Sequence, residues 1–482
     1  MTYIKLTGEP NGDGGDMYTG LDRFNRVIDV RWINASNTDV NRFKYGFSRA
    51  GNRLWRQNPV APSGGFDEQY GYDGLYQITD RKQGTLNSSH VIPGTPVQEE
   101  QFTFDPTGNW PSYLLNQSGT TVLNQTRTHQ KVNEITAISG SSTGYDANGN
   151  LTTMPQIQAW GSSQAVTWDA WNRLVSVSAS GTALGTYQYD GLNRRTTKVS
   201  LEGGSSTTRH FYYSNQWQVL EERVNSSTSA DVQYVWGIKY QDDLALRDKF
   251  GVSSQRFYSL ADYFQPTAIA DTTGAVQERY SYTASGQVSY LTASFTSRSS
   301  SSYGWEILFG AYYFDVETGL YQVRNRFYHC GLGRWLSRDP LKNAERSQGA
   351  NLYWYVSNNA VNYVDPTGMD TITITDNDGI LDISGLVGHV LGHIENWITS
   401  GGANTSSTGN QAVRLNYTDV CPPDHIYLLS VTASNDWGAY QSGPNSAYID
   451  VETRVYFFGT SNSQNLNDIV SLIAMCTDCP DE

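Results

Sequence analysis

The chain is 482 residues long and carries 33 Lys+Arg against 47 Asp+Glu, a net charge of −14, with 45 Gly, 32 Tyr and 13 Trp. This Tyr- and Trp-rich composition, with only 17% charged residues, favours strands and turns over helix bundles. The acidic balance argues against a duplex nucleic-acid binder, whose affinity comes from cations on phosphates, and no run approaches the roughly eighteen apolar residues of a membrane-spanning helix.

In chain order, Met1–Asp13 is polar and has no apolar core of a secretory signal. A short pattern then recurs. It reads aromatic, Asp, two variable residues, Gly or Asn, Asn or Arg, and usually an apolar residue. Early echoes are Leu21–Val27 and the stretch from Tyr45 to Leu54. Clearer copies are Tyr72–Ile78, Phe104–Trp110, Tyr145–Leu151, Trp168–Leu174 and Tyr189–Arg195, with a late one at Tyr282–Val288. The Asp can accept backbone N–H groups two residues on and so start a turn. Gly or Asn in fifth place tolerates the positive φ of a tight hairpin. Between copies the chain alternates, as in Leu174-Val175-Ser176-Val177-Ser178. Each unit is therefore a hairpin that cannot bury its own apolar face, so neighbouring units must stack.

Downstream the motifs become longer: Phe314-Asp315-Val316-Glu317-Thr318-Gly319-Leu320-Tyr321, Arg324-Asn325-Arg326-Phe327-Tyr328, and Gly333-Arg334-Trp335-Leu336-Ser337-Arg338-Asp339-Pro340. Asn351–Asn359 follows, and Asn362-Tyr363-Val364-Asp365-Pro366-Thr367-Gly368 closes the series. Over about residues 15 to 369 the sequence resembles the Rhs/YD-repeat family, also seen in the C component of insecticidal Tc toxins and in teneurins. The resemblance implies a mainly β fold: a spiral of YD-repeat hairpins (a partial shell or cocoon) over residues 1–300, and an Rhs-associated core domain plugging it over 301–369. A variable C-terminal domain, 370–482, would follow as cargo. The resemblance also implies a secreted or cell-surface protein.

Charge marks the same boundary. Residues 370–482 hold fourteen acidic and two basic side chains, so nearly all of the −14 lies there.

In many Rhs relatives the core resembles an aspartyl autoprotease that cuts its own chain after the second Asp-Pro motif. Carried over position by position, Arg338 and Asp339 are catalytic, Asp365 is their partner, and Met369–Asp370 is the scissile bond. Paired carboxylates suit the chemistry, because one held protonated can activate the carbonyl while the other activates water. Arg338 would hold one carboxylate ionised or steady the oxyanion. Asp339-Pro340-Leu341-Lys342 lacks the usual Gly, Lys342–Gly349 is longer than typical, and Met369 stands where Leu is commoner. The alternative is that both Asp-Pro pairs only initiate turns. The adjacent His329 and Cys330 read as a drifted turn, since strand neighbours point to opposite faces.

In the tail, Ile383–Ser400 reads as a helix with Leu386, Val390, Ile394 and Trp397 on one stripe. His389 and His393 share a helical face and, with Cys476 and Cys479, could ligate zinc; His425 and Cys421 are further candidates. The alternatives are half-buried helix histidines and a free or disulfide-bonded thiol pair. Tyr448–Gly459 reads as a strand and Leu466–Met475 as a short helix, giving a small α+β domain.

Two functional readings follow. One is a polymorphic-toxin-like protein whose tail is an effector released by cleavage, with other shell-forming chains as partners and no nucleic acid expected. The other is a surface adhesion or recognition protein that binds a cell-surface ligand and carries a non-catalytic module.

Overall fold

The computed structural model describes residues 20–369, apart from scattered positions, and a set of strands between Ile372 and Asp478. The chain folds as two units, Met1–Leu381 and Asp382–Glu482.

Most described strands of the first unit form two long meanders. One has nine strands, from Asp29–Ile33 to Ile135–Ile138, and the other fifteen, from Gly144–Tyr145 to Ser297–Arg298. Every strand pairs antiparallel with its neighbours in sequence, as hairpins chained end to end require.

The repeat pattern builds the turns. Asp190 Oδ1 accepts the N–H groups of Leu192 and Arg194, both at 2.9 Å. Asp73, Asp105, Asp146 and Asp169 accept from two and four residues on in the same way. The fifth position has positive φ throughout these copies: 63° at Tyr76, 77° at Gly108, 85° at Gly149, 60° at Asn172 and 66° at Asn193.

In most units the leading aromatic ties the unit to the one before. Its polar tip donates to the carbonyl of the residue just past the preceding turn. Trp168 Nε1 reaches Leu151 at 2.8 Å, Tyr189 Oη reaches Leu174 at 2.6 Å, and Tyr213 Oη reaches Arg195 at 2.7 Å. Trp236 repeats the bond to Val219, and Tyr282 to Pro266. A Phe in that place cannot make the bond, which accounts for the predominance of Tyr and Trp.

The nine-stranded meander also meets the fifteen-stranded one. Trp32 Nε1 donates to the Ala261 carbonyl at 2.7 Å, Asn41 Nδ2 to Thr267 Oγ1 at 2.8 Å, and Arg56 pairs with Asp262 at 3.1 Å. Its first strands are thereby joined to strands more than two hundred residues later.

Residues 305–365 fill the inner face. Trp305, Phe309, Tyr321, Tyr328, Trp335 and Tyr355 form one apolar cluster with shell residues such as Phe211, Phe257 and Tyr282. Two of these tyrosines spend their hydroxyls on shell backbone: Tyr321 Oη donates to Gly286 O and Tyr328 Oη to Ser285 O, each at 2.8 Å. Ions lock the same seam. Asp315 looks like a repeat Asp, but its carboxylate takes Arg195 at 2.5 Å and Lys198 at 3.2 Å.

Past Met369, Ile372–Thr373 returns to pair with Tyr363–Val364, which carries the first unit beyond the charge boundary to Leu381. In the second unit the described residues are all strand. Tyr448–Gly459 contains two paired strands, Ala447–Ile449 and Arg454–Phe457, rather than one. The helix expected over Leu466–Met475 is instead the strand Ile469–Asp478, paired with His425–Ala433. Its β-branched Ile469, Val470 and Ile473 favour the extended form. The helix expected at Ile383–Ser400, with His389 and His393, lies outside the described residues, as do Cys421 and Cys479.

Candidate active site

The two Asp-Pro motifs meet on one arginine. Arg326, in the strand Arg326–His329, places Nη2 at 2.7 Å from Asp339 Oδ2 and 3.2 Å from Asp365 Oδ2. All three side chains are buried. Asp339 is fixed at both ends of its residue: its N–H donates to Leu352 O at 3.0 Å, and its Oδ1 accepts Leu341 N–H at 2.9 Å. Asp365 is held by Tyr312, whose hydroxyl accepts the Asp365 N–H at 2.9 Å and donates to the Asp365 carbonyl at 3.0 Å.

The segment that leads to the expected scissile bond is strapped along the same turn. Arg324 donates to Pro366 O, Asn325 N–H to Thr367 O at 3.2 Å, and Arg326 Nε to Gly368 O. Three consecutive residues thus hold three consecutive carbonyls. The Met369 N–H donates to Asp365 Oδ1 at 3.0 Å. Gly368 has φ of 72°, and a Cβ there would stand 2.6 Å from the Val323 carbonyl oxygen. Only glycine passes this close to the backbone.

Arg338 is placed elsewhere. Its guanidinium pairs with Glu134 at 3.0 Å and donates to Tyr353 Oη at 3.1 Å, with 40% of the side chain exposed. The cation on the carboxylates is Arg326. It sits in the Arg324-Asn325-Arg326 motif read from the sequence, but nothing in the local spacing joins it to residues thirteen and thirty-nine positions on.

His329 and Cys330 form no nucleophilic pair. Leu332 N–H donates to His329 Nδ1 at 3.1 Å, so Nε2 carries the proton and donates to Pro155 O at 3.0 Å. Burial presses the imidazole down to about 4 and pushes the Cys330 thiol up to about 12. A buried neutral thiol is inert. For the zinc reading, Cys476 lies opposite Tyr427 in its strand pair, and among the described residues no group of His, Cys, Asp and Glu could hold a metal.

With this geometry in view, the chain can be set against known proteins. The teneurin YD-shell family model matches residues 52–361. The tRNA nuclease WapA of Bacillus subtilis is 28% identical over 271 residues, which cover 56% of this chain and 11% of WapA. The double-stranded DNA deaminase toxin A of Burkholderia cenocepacia is 25% identical over 361 residues, 67% of this chain and 24% of that toxin. The toxin protein Tse5 of Pseudomonas aeruginosa is 25% identical over 373 residues, covering 64% and 27%. The chain therefore spans about a quarter or less of each of these relatives' length. Among solved structures, the Tc holotoxin pore of Photorhabdus luminescens matches with a TM-score of 0.57 at 21% identity, over 72% of this chain and 17% of that one. The chained hairpins, the plug they enclose and the match across residues 52–361 place this chain in the teneurin YD-shell family, among the Rhs/YD-repeat proteins.

Proposed function

We propose that the chain is the shell-and-core part of an Rhs-type toxin, and that residues from Asp370 onward are its variable effector, freed by aspartyl autoproteolysis of the Met369–Asp370 bond. The observation that carries this reading is the meeting of Asp339 and Asp365 on Arg326, with the Met369 amide bonded to Asp365 itself. Hydrolysis adds water across the bond: hydroxyl to the Met369 carbonyl carbon, proton to the Asp370 nitrogen. One carboxylate takes the water proton and the other supplies a proton to the carbonyl or leaving amine. Arg326 positions both, and Arg324 and Asn325 hold the chain in register. Both aspartates also make the bonds of the turn-initiator alternative, Asp339 with Leu341 N–H and Asp365 with Met369 N–H; the shared buried cation is what favours the catalytic reading.

The cargo in this reading is the chain's own tail, and the route is export to the cell surface or medium, as for a toxin. No helix among the described residues is long and apolar enough to cross a membrane. Two relatives are named for acting on tRNA and double-stranded DNA. Nucleic acid therefore stands among the targets of such a tail, against the expectation from its charge.

Intact mass of the purified full chain tests the proposal. Two fragments that divide after Met369 are expected, and a single full-length species for Asp339→Asn and Asp365→Asn. A wild-type chain that stays whole under all conditions overturns it.

A further inference from the structure

One small cavity lies on the seam between shell and core, and the only charged side chains that line it are two arginines. The shell strand Thr120–His129 brings Arg127 and His129 to it, and the core strand Arg334–Trp335 brings Arg334. Its volume is about 10 Å³, room for one water-sized particle. The remaining lining is aromatic, amide and backbone, including Trp110 and Asn351, with no carboxylate.

Both guanidiniums are buried, at 4% and 6% exposure. Arg127 spends Nη1 on Leu332 O at 2.9 Å and Nη2 on Gly331 O at 3.0 Å and Gln125 Oε1 at 2.9 Å. Arg334 spends Nη2 on Asn133 O at 2.5 Å. The Nε of each has no hydrogen-bond partner. Among the described residues neither arginine has an ion-pair partner. Among the other buried arginines of the shell, Arg56, Arg81, Arg195 and Arg209 sit on carboxylates, while Arg53, Arg247 and Arg279 rest on aromatic rings, as Arg127 does on Trp110 and Arg334 on Tyr353; Arg127 and Arg334 stand out in lining one carboxylate-free cavity together. Two buried like charges without a counter-charge are costly. Their effect on neighbours is consistent: burial, then the fields of Arg334 and Arg127, hold the His129 imidazole down at about 4.

We propose that this cavity binds one halide-sized monovalent anion, chloride under ordinary conditions, between the guanidiniums of Arg127 and Arg334. The anion supplies the counter-charge that the protein omits and ties a shell strand to the core. The small volume favours a halide over the larger phosphate, sulfate and carboxylates. The inference is independent of proteolysis, since neither arginine touches Asp339 or Asp365.

The test uses the full chain. Crystals grown with bromide in place of chloride are expected to show one anomalous peak between Arg127 and Arg334. In solution at constant ionic strength, the melting midpoint is expected to rise saturably with chloride or bromide and to stay flat with gluconate. Arg334→Met is expected to lose the chloride response. No peak at this position, or equal melting in chloride and gluconate, overturns the proposal. If Arg334→Met fails to fold, the wild-type bromide peak decides alone.

Discussion

Acid stability should be governed in large part by His329. Its ring is committed as a neutral acceptor from Leu332 and a donor to Pro155, and burial holds it down at about 4 against an ordinary 6.5. Protonation would set a second N–H against the Leu332 amide. Between those values the unfolded chain binds a proton that the folded chain refuses. Stability is therefore whole above pH 6.5 and falls as pH drops toward 4. At about 1.4 kcal/mol per pH unit, the loss is on the order of 3 kcal/mol. His329→Gln keeps an acceptor and a donor on one planar group and removes the titration. Urea unfolding followed by Trp fluorescence at pH 7.5 and 4.5 should show wild type losing about 3 kcal/mol more than the variant. His129 contributes a drop of the same sign to both proteins and cancels in the difference. Parallel losses in the two proteins would refute the argument.

Arg326→Met should abolish cleavage and cost about 3–5 kcal/mol, since it strands two buried carboxylates, while Arg338→Met should leave cleavage intact and cost under about 1 kcal/mol; intact mass and urea titration read both. Gly368→Ala meets backbone rather than a movable side chain, so it should block cleavage while the core keeps its near-ultraviolet circular dichroism. Tyr189→Phe removes one staple to Leu174 and should cost about 1 kcal/mol by urea titration. Burial pushes Glu317 up to about 7, so its folded form costs stability as pH rises from 4.5 through 7; Glu317→Gln should gain on wild type in melting midpoint between pH 5 and 8.

The parts of this fold that were legible in sequence are those set by local chemistry. An Asp that turns the chain and a fifth residue that accepts positive φ lie within a few positions of each other, so their spacing survives in the sequence. The bond from the leading aromatic to the preceding unit was not legible, because inter-repeat loops differ in length and hide the register. Asp315 shows the limit of the motif: its neighbours match a repeat turn, yet burial against Arg195 and Lys198 recruits its carboxylate. At the site, both Asp-Pro motifs were visible, but the cation between them was not. Arg338 adjoins Asp339 in sequence, yet its guanidinium goes to Glu134 and Tyr353. In the tail, Ile469–Asp478 has an apolar run whose period serves helix or strand alike, and its β-branched residues and the pairing with His425–Ala433 decide for the strand.

In the proposed mechanism, cleavage and release are separate events. The residues just past the proposed scissile bond, Ile372–Thr373, form a two-residue ladder with Tyr363–Val364, on the core side of that bond. Hydrolysis leaves that ladder in place. Its backbone bonds contribute about 1 kcal/mol each. Holding two separate molecules together costs at least about 4 kcal/mol in lost translation and rotation. The ladder therefore aligns the loop before the cut and cannot retain the tail after it. A chain ending at Leu381 keeps the whole cleavage loop and lacks the second unit. After cleavage, gel filtration should strip its 370–381 peptide from the core, with the loss read by mass. A peptide that stays bound would show that contacts other than the ladder hold the start of the tail. If that peptide is lost while the full tail co-elutes with the first unit, retention is a property of the second unit rather than of the ladder.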